Sequence, residues 1–377
     1  MKVLCIGKSN FDITVETDEA PVFGNKYKNI EKNKCGGGSA GNVAYLLAKW
    51  GVETAISSLV GADTYAETIK KEFGEVGVNT NNLETNFEQS TSLCLIMLNK
   101  DKEKIVYEVG GEYKPLKKYN YESTPEYIFS DGYDYGATQN AVNKYSDMVN
   151  FLDCREVTNE TMELSKYMKN LIASEDFAVG VTGVKIDYKS PQTLVNMYTK
   201  LMNKYPNSNV IVTLGSHGAL YKDNNQIKIM PGLKMDVVDT TGSKDAFIAT
   251  YIYSIINGFD VEKCITLANI AGGLVAAEIG GRSSMPALST VLDEYNKKKG
   301  ISAPTNGNAD ASQDAKTEEK NEEPAKEENK STEEQPKEET EVKIEVTKQK
   351  EDNKEEVKTE EKPAEEVSIE QAAADKK

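Results

Sequence analysis

The amino-acid sequence predicts an α/β protein with a mostly parallel central sheet flanked by helices and a small β-sheet lid. Three observations support this. Short apolar segments typical of strands alternate with longer segments typical of helices, which is the pattern of a parallel sheet covered on both faces. Two β-rich segments around a polar turn predict a hairpin outside that alternation. Glycine-rich and polar segments follow several predicted strands, where ligands bind in such sheets.

The alternation begins at the N-terminus. "KVLCIG" is a short apolar strand, and "TAISSLVG" is the next one. Between them, "AGNVAYLLAKWG" places apolar residues from Val43 to Trp50 at helical spacing, and Gly51 closes the helix. A second helix is predicted at "YAETIKKEFGEVG". The first half of the chain therefore predicts repeated strand–helix units.

The hairpin is predicted at "SLCLIMLNKDKEKIVYEVGG", where two β-rich segments flank the polar turn "NKDKEK". A β-like segment also covers roughly residues 13–35. We expect the two regions, within about 13–35 and 90–112, to form the lid.

The alternation resumes in the second half of the chain. "EYIFSDG", "DFAVGVTG" and "NVIVTLG" are interpreted as strands, and "SPQTLVNMYTKLMNKYP" as a helix. "KDAFIATYIYSIING" and "VEKCITLANIAGGLVAAEIG" predict two long apolar helices. We therefore expect one folded domain over residues 1–299.

Residues 300–377 predict a disordered acidic tail rich in Glu and Lys. From Ile301 onward there are 24 acidic residues, 13 lysines and no aromatic residue, so this segment carries most of the chain's net charge of −16. Such a segment buries too little apolar surface to offset the loss of chain entropy on folding. It is interpreted as a solvated spacer, with a docking segment as the alternative.

Composition excludes several classes of protein. The five cysteines are scattered without a CxxC pair, which argues against zinc or disulfide frameworks and fits a reducing cytoplasm. The single histidine, His217, argues against a Ser-His-Asp triad. There is no signal peptide pattern and no apolar run of 18 residues, so no membrane association is expected. Basic residues are dispersed among acidic ones, which argues against nucleic-acid binding.

Three polar motifs follow predicted strands or precede a helix. "GKSNFD" offers Asn10 and Asp12, and "CGGGSAGN" offers glycines that permit close backbone approach, with Asn42 near the start of the next helix. Together they suit a ligand with many hydroxyl groups, although each is equally typical of a tight turn with a helix cap. "VTLGSHG" has a glycine-flanked turn suited to a nucleotide passing over the backbone.

The segment "DVVDTTGSKDAF", residues 236–247, predicts a phosphate-handling helix. A helix that begins near Gly242 presents unpaired N–H groups and a positive dipole end to an anion. Asp245 lies in its first turn. Beside a ligand hydroxyl, this carboxylate would accept the proton as the oxygen attacks a phosphate. The alternative is that Asp245 only caps the helix.

Residues 1 to about 297 resemble the ribokinase-like (PfkB) carbohydrate kinase family. The first family signature corresponds to "GGGSAGNVAYLLAKWG", and the second, usually Asp-Thr-x-Gly-Ala-Gly-Asp, to "DTTGSKDAF". "VTLGSHGAL" is similar to the family's nucleotide strand, and "ANIAGGLVAAEIGGRSSMP" to its last helix and following loop. The resemblance implies a β lid over the sugar, transfer of the ATP γ-phosphoryl group with Mg²⁺, and a homodimer formed through the lid.

The resemblance also implies roles for individual residues. The expected general base, which also contacts the substrate, is Asp245. The anion hole is expected from the backbone amides of Gly242, Ser243 and Lys244. The sugar is expected to contact Asn10, Asp12, Gly37, Gly38 and Asn42. The nucleotide site is expected at Thr213, Gly215, Gly218 and Asn269. A monovalent cation, K⁺ in many members, is expected near Asp239, Thr241 and Ser284.

Two departures from the family pattern stand out. Lys244 replaces the glycine before the expected base; its ammonium is expected to pair with phosphate oxygens and to lower the pKa of Asp245. The family's Asn-x-x-Glu motif, which acts on Mg²⁺ and phosphate, has its nearest counterpart in "NETME". There Met162 occupies the Glu position, and Glu160 and Glu163 are displaced. Either the register differs or this carboxylate is missing.

Three functions therefore remain open from the sequence. The leading one is an ATP-dependent phosphotransferase with an alcohol group as acceptor, acting on a sugar or sugar-like alcohol. The second is a nucleoside kinase of the same fold, because the sugar-facing motifs are shared. The third is a catalytically weakened sugar-binding regulatory protein, favoured by "GSKD". The identity of the sugar depends on lid side chains that the sequence does not assign.

Overall fold

The computed structural model describes residues 1–28, 30–110, 114–119, 121–300 and 345–346. Of the predicted acidic tail, these residues include only Gly300 and the two-residue strand β14. The strands, in chain order, are β1 (Val3–Ile6), β2 (Asn10–Glu16), β3 (Ile30–Gly37), β4 (Thr54–Gly61), β5 (Asn79–Asn86), β6 (Leu93–Leu98), β7 (Lys104–Val109), β8 (Tyr127–Ser130), β9 (Val149–Cys154), β10 (Asn170–Ser174), β11 (Asn209–Thr213), β12 (Ala219–Asp223), β13 (Gln226–Met230) and β14 (Glu345–Val346).

The helices lie mostly between these strands. In chain order they are α1 (Ser39–Lys49), α2 (Thr64–Val76), α3 (Tyr135–Lys144), α4 (Asn159–Leu164), α5 (Glu175–Thr182), α6 (Pro191–Lys204), α7 (Ser243–Ile256), α8 (Val261–Ala276) and α9 (Leu288–Lys299). A short 3-10 helix covers Gly215–His217. Among the described residues, no helix is long and apolar enough to cross a membrane.

The large sheet confirms the predicted parallel core. Its strand order is β14-β13-β12-β11-β10-β9-β8-β1-β4-β5. Seven neighbouring strands of this order run parallel, namely β11, β10, β9, β8, β1, β4 and β5. Strand β12 is antiparallel to both of its neighbours, β11 and β13. The carboxyl ends of the seven parallel strands therefore meet at one edge, where the motif "GKSNFD" follows β1 and the glycine-flanked turn of "VTLGSHG" follows β11.

Helices cover both faces of this sheet, and the side chains of β1 pack against helices on each face. All four of its residues are fully buried. Val3 and Cys5 pack in the cluster that contains α1, α7 and α8, whereas Leu4 and Ile6 pack in the cluster that contains α3. A third cluster holds α5 and α6 against β9 to β11. Successive side chains of a strand point to opposite faces, so an uninterrupted apolar strand requires cover on both.

The lid is a separate four-stranded sheet of order β3-β2-β6-β7. The predicted hairpin is confirmed as the antiparallel pair β6–β7. The first lid strand begins at Asn10, slightly before the predicted start near residue 13. Asp12 pairs in register with Cys35 on one side and Cys94 on the other, so this carboxylate lies in the middle of the lid sheet.

One predicted strand is wrong: "DFAVGVTG" belongs to helix α5. The apolar alternation at Phe177, Val179 and Val181 indicated a strand. The local capping favours a helix instead, because the Ser174 side chain accepts a hydrogen bond from the Phe177 amide and Gly183 ends the helix at φ 67°. The actual strand, β10, lies immediately before it.

Candidate active site

A cleft of about 1070 Å³ lies between the lid and the carboxyl edge of the large sheet. It brings together segments that are far apart in the sequence. Its walls include lid residues, the glycine-rich loop before α1, the loop after β9 and the loop before α7. Of the predicted site residues, those that line it are Asn10, Asp12, Gly38, Asn42, Thr241, Gly242, Lys244 and Asp245.

Asp245 is buried at 5% exposure in the first turn of α7. Its Oδ2 accepts a hydrogen bond from Asn42 Nδ2 at 2.8 Å, and its Oδ1 accepts one from Ser39 Oγ at 2.6 Å. The guanidinium of Arg155 also contacts Oδ1. These partners come from α1 and from the loop after β9, so the carboxylate does more than cap its own helix.

The turn before α7 requires glycine at position 242. Gly242 has φ 79°, and a Cβ there would lie 2.7 Å from Cα of Gly281. Of the three predicted anion-hole amides, that of Ser243 donates to the carbonyl of Thr240 at 3.3 Å. Within the described part of the chain, the amides of Gly242 and Lys244 show no hydrogen-bond acceptor. These two amides are therefore the ones available to an anion.

The Lys244 side chain has a different partner from the one expected. Its Nζ lies 2.6 Å from Oδ1 of Asp153 and 3.5 Å from the carbonyl of Cys154. The cation that contacts Asp245 is Arg155. In this structure Lys244 is thus engaged at the end of β9, while its amide remains at the start of α7.

Asp153 and Arg155 are site residues that the sequence analysis missed. The Asp153 side chain is fully buried, and its Oδ2 accepts from Arg155 Nε at 2.6 Å. Burial opposes ionisation of Asp153, but the charges of Arg155 and Lys244 outweigh it and hold the pKa below its usual range. Lys244, Asp153, Arg155 and Asp245 therefore form a chain of alternating charges, defined here as the charge chain. The signal was the segment "VNFLDCRE", an apolar strand followed by charged residues.

The predicted sugar residues cluster at the lid side of the cleft. Asn10 Nδ2 donates to the carboxylate of Asp12, whose pKa burial raises to about 6. A Cβ at Gly37 would overlap that carboxylate, and Gly38 adopts φ 82° beside the carbonyl of Lys8. Gly37 itself does not line the cleft; it makes room for Asp12.

Asn42 is hydrogen-bonded at both ends of its amide. Its Nδ2 donates to Asp245, and its Oδ1 accepts from Nε of the buried Arg282 at 3.2 Å. Arg282 also pairs with Glu72 at 2.9 Å and donates to the carbonyl of Gly37 at 2.9 Å. This arginine, which follows the predicted last helix in "GGRSS", was not singled out from the sequence. It ties the base of the lid to the residue that orients Asp245.

The predicted nucleotide residues lie outside the cleft walls, and two of them converge on Met230. Asn269 Nδ2 donates to the Met230 carbonyl at 3.0 Å, and Gly218, at φ 93°, packs so closely on that carbonyl that a Cβ would overlap it. Thr213 ends β11 and Gly215 begins the 3-10 helix that follows. Asn269 lies on α8, whose Gly272 packs against the carbonyl of Ser243. The segment Thr240–Lys244, which carries the predicted anion-hole amides, is called here the anion-hole loop.

The residues predicted for a monovalent cation hold two loops together. The carboxylate of Asp239 accepts from the Thr241 amide at 2.9 Å, from the Thr241 hydroxyl at 2.7 Å and from the Gly280 amide at 3.0 Å. The hydroxyl of Ser284 donates to the Gly281 carbonyl at 3.0 Å.

The "NETME" segment forms the start of α4, at the rim of the cleft. Glu160 lines the cleft together with Glu156. Met162 contacts the Tyr205 hydroxyl instead, and Glu163 pairs with Lys166. The described residues contain no cluster of three or more His, Cys, Asp or Glu that could hold a metal ion.

The sequence model described as pfkB family carbohydrate kinase matches residues 1–288, and the chain belongs to this family. Among curated proteins, it is 26% identical over 298 residues to a ribokinase of Lactococcus lactis, covering 77% of this chain and 95% of that protein. It is 22% identical over 307 residues to a nucleoside kinase of Methanocaldococcus jannaschii, covering 79% and 98%.

A solved structure supports the fold assignment. The structure of Arabidopsis thaliana ribokinase complexed with ribose and ATP superposes with a TM-score of 0.64 at 20% identity, covering 78% of this chain and 97% of that one. The predicted family and fold class are thus confirmed, and the chain is a kinase of this family.

Proposed function

We propose that the chain transfers the γ-phosphoryl group of ATP to a hydroxyl of a sugar or sugar-like alcohol. The observation that carries the proposal is the position of Asp245. This buried carboxylate is held by Asn42 and Arg155, in the first turn of a helix whose Gly242 and Lys244 amides are available to an anion. A base and an anion site therefore lie side by side at the bottom of the cleft.

The arrangement accounts for each part of the reaction. The acceptor hydroxyl gives its proton to Asp245 as its oxygen forms a bond to the γ-phosphorus, and the bond between that phosphorus and the leaving ADP oxygen breaks. The amides at the start of α7 and the dipole of that helix stabilise the charge on the transferred group. Asn10 and Asp12, at the lid side of the cleft, hold the other hydroxyls of the acceptor.

The cofactor roles belong to the same proposal. Thr213, Gly215, Gly218 and Asn269 would line the nucleotide path beside the anion-hole loop. Mg²⁺ is commonly held by one or two carboxylates together with substrate phosphates. Glu156 and Glu160 at the cleft rim fit that requirement, and Mg²⁺ would neutralise phosphate charge there. K⁺ would bind where Asp239, Thr241 and Ser284 join two loops.

A homodimer formed through the lid is also part of the proposal. The face of strand β7 that points away from the cleft exposes a row of apolar side chains, with Ile105, Tyr107 and Val109 exposed at 37–57%. An apolar row of this kind on a sheet is typical of a pairing surface. Light scattering that gives the mass of a single chain would contradict this part.

Nucleoside phosphorylation is the second candidate, supported by the nucleoside kinase relative. The test for both is ADP formation with a panel of sugars, sugar alcohols and nucleosides. Turnover with one class of acceptor would identify that class as the substrate. Sugar binding without turnover would instead favour a regulatory sugar-binding protein.

A further inference from the structure

Lys104 is a lid residue whose side chain reaches the loop that precedes the predicted anion hole. It is the first residue of β7 and pairs across the hairpin with Leu98. Its side chain crosses from the lid to the loop before α7, where its Nζ lies 3.1 Å from the hydroxyl of Thr241. Thr241 directly precedes Gly242, so the ammonium lies beside the start of α7.

The other cations that line the cleft already have carboxylate partners. Lys8 pairs with Glu108, and Arg155 and Lys244 share Asp153. For Lys104, by contrast, no ion pair occurs within the described residues, and its hydrogen-bond partner is a neutral hydroxyl. Of these four cations, Lys104 is therefore the one whose charge no contacting carboxylate of the described residues neutralises.

The surroundings of Lys104 are also set up for an anion rather than for a permanent ion pair. Burial lowers its pKa, and the nearby Asp239 and Asp245 oppose that effect without contacting the ammonium. The Lys104 side chain remains exposed, and its ammonium lies at a loop whose Gly242 and Lys244 amides are available. A phosphate bound to those amides would lie beside Thr241, the residue that the Lys104 ammonium contacts.

We propose that Lys104 is a further catalytic residue, which contacts the γ-phosphoryl group as it is transferred and couples that transfer to the position of the lid over the anion-hole loop. This rests on the proposed function. As the acceptor oxygen bonds to phosphorus and the bond to ADP breaks, negative charge spreads over the three γ-oxygens. Lys104 approaches them from the lid, opposite the amides of α7.

A purely structural role is the competing explanation. Lys104 would then hold the lid closed through Thr241 and would leave the phosphate untouched. The two roles give different kinetics. Loss of a lid clamp raises the KM of the sugar, whereas loss of a contact to the transferred group lowers kcat.

The first arm of the test is kinetic. We expect Lys104→Gln to lower kcat by about 10²-fold, the usual effect of removing one donor from an oxyanion site, with the sugar KM changed less than about threefold. Lys104→Arg retains the charge and should recover most of the rate, with activity that persists to higher pH. Lys102→Gln, on the exposed turn of the same hairpin, is the matched control.

The second arm does not need turnover. By calorimetry with and without sugar, Lys104→Gln should weaken binding of the β,γ-imido analogue of ATP by about tenfold, the effect of one charge-assisted hydrogen bond, and leave ADP binding unchanged. Equal effects on both nucleotides, or none, would overturn the role of Lys104. A selective loss in a protein that turns over no acceptor would uphold the phosphate contact while refuting the proposed kinase activity.

Discussion

The charge chain leads to a prediction about Lys244 that differs from the one drawn from the sequence. If Lys244 serves mainly to neutralise Asp153, then Lys244→Met should destabilise the fold rather than weaken ATP binding. The Asp153 side chain is 0% exposed and that of Lys244 is 17% exposed, so the pair is largely shielded from water. Removing the lysine leaves the buried carboxylate with Arg155 as its remaining cation.

The magnitude follows from that geometry. Breaking a buried ion pair by removing one partner costs about 3–5 kcal/mol. Because Arg155 stays 2.6 Å from Asp153, we expect the lower part of that range or slightly less, about 2–3 kcal/mol. For a domain of this size, such a loss lowers Tm by roughly 3–5 °C. The double variant Asp153→Asn/Lys244→Met removes both charges and should recover most of the loss, because neither group is then left unpaired.

The assay is a double-mutant cycle measured by thermal unfolding, with ATP affinity measured on the same four proteins. The account expects a coupling free energy of at least 1 kcal/mol between positions 153 and 244, since contacting residues are non-additive. It also expects ATP affinity within about threefold of wild type, a shift well under 1.4 kcal/mol. A Lys244→Met protein of unchanged Tm that binds ATP tenfold more weakly would refute this reasoning and restore the phosphate-pairing role inferred from the sequence.

Two further predictions concern the lid and the tail. Burial raises the pKa of Asp12 to about 6. Above that pH the carboxylate is ionised and can accept hydrogen bonds from sugar hydroxyls, and it becomes protonated as the pH falls through 6. When the pH is lowered past about 6, sugar affinity measured by calorimetry should therefore decrease in wild type and in the exposed control Asp18→Asn. A decrease of the same size in Asp12→Asn would contradict the assignment. Deleting residues 301–377, which lack aromatic residues, should leave Tm and turnover nearly unchanged. A truncated protein that unfolds, or that loses most of its rate, would disprove it.

The residues that could be predicted from sequence are those whose chemistry is local. Gly242 and Asp245 lie within one turn of each other, and the hairpin β6–β7 is defined by its own polar turn. Each of these features depends on neighbours in the chain, so the pattern of residue types was sufficient to identify them.

The features that were missed depend on contacts between distant segments. Arg155 reaches Asp245 across 90 positions of sequence, and Arg282 reaches Asn42 across 240. No local pattern indicates either contact. The partner of Lys244 was missed for the same reason. The sequence places Lys244 correctly at the start of α7, but its partner, Asp153, belongs to a strand that the sequence analysis did not predict.

The central claim is that Asp245 is the general base of a phosphoryl transfer, and one measurement tests it most directly. It is the rate of ADP formation by Asp245→Asn with the best acceptor, beside the exposed control Asp236→Asn. The account predicts a fall in kcat of about 10²–10⁴-fold for Asp245→Asn, with sugar affinity nearly unchanged and the control at wild-type rate. An Asp245→Asn protein that turns over at the wild-type rate would contradict it, as would an inactive wild type that Lys244→Gly restores to activity.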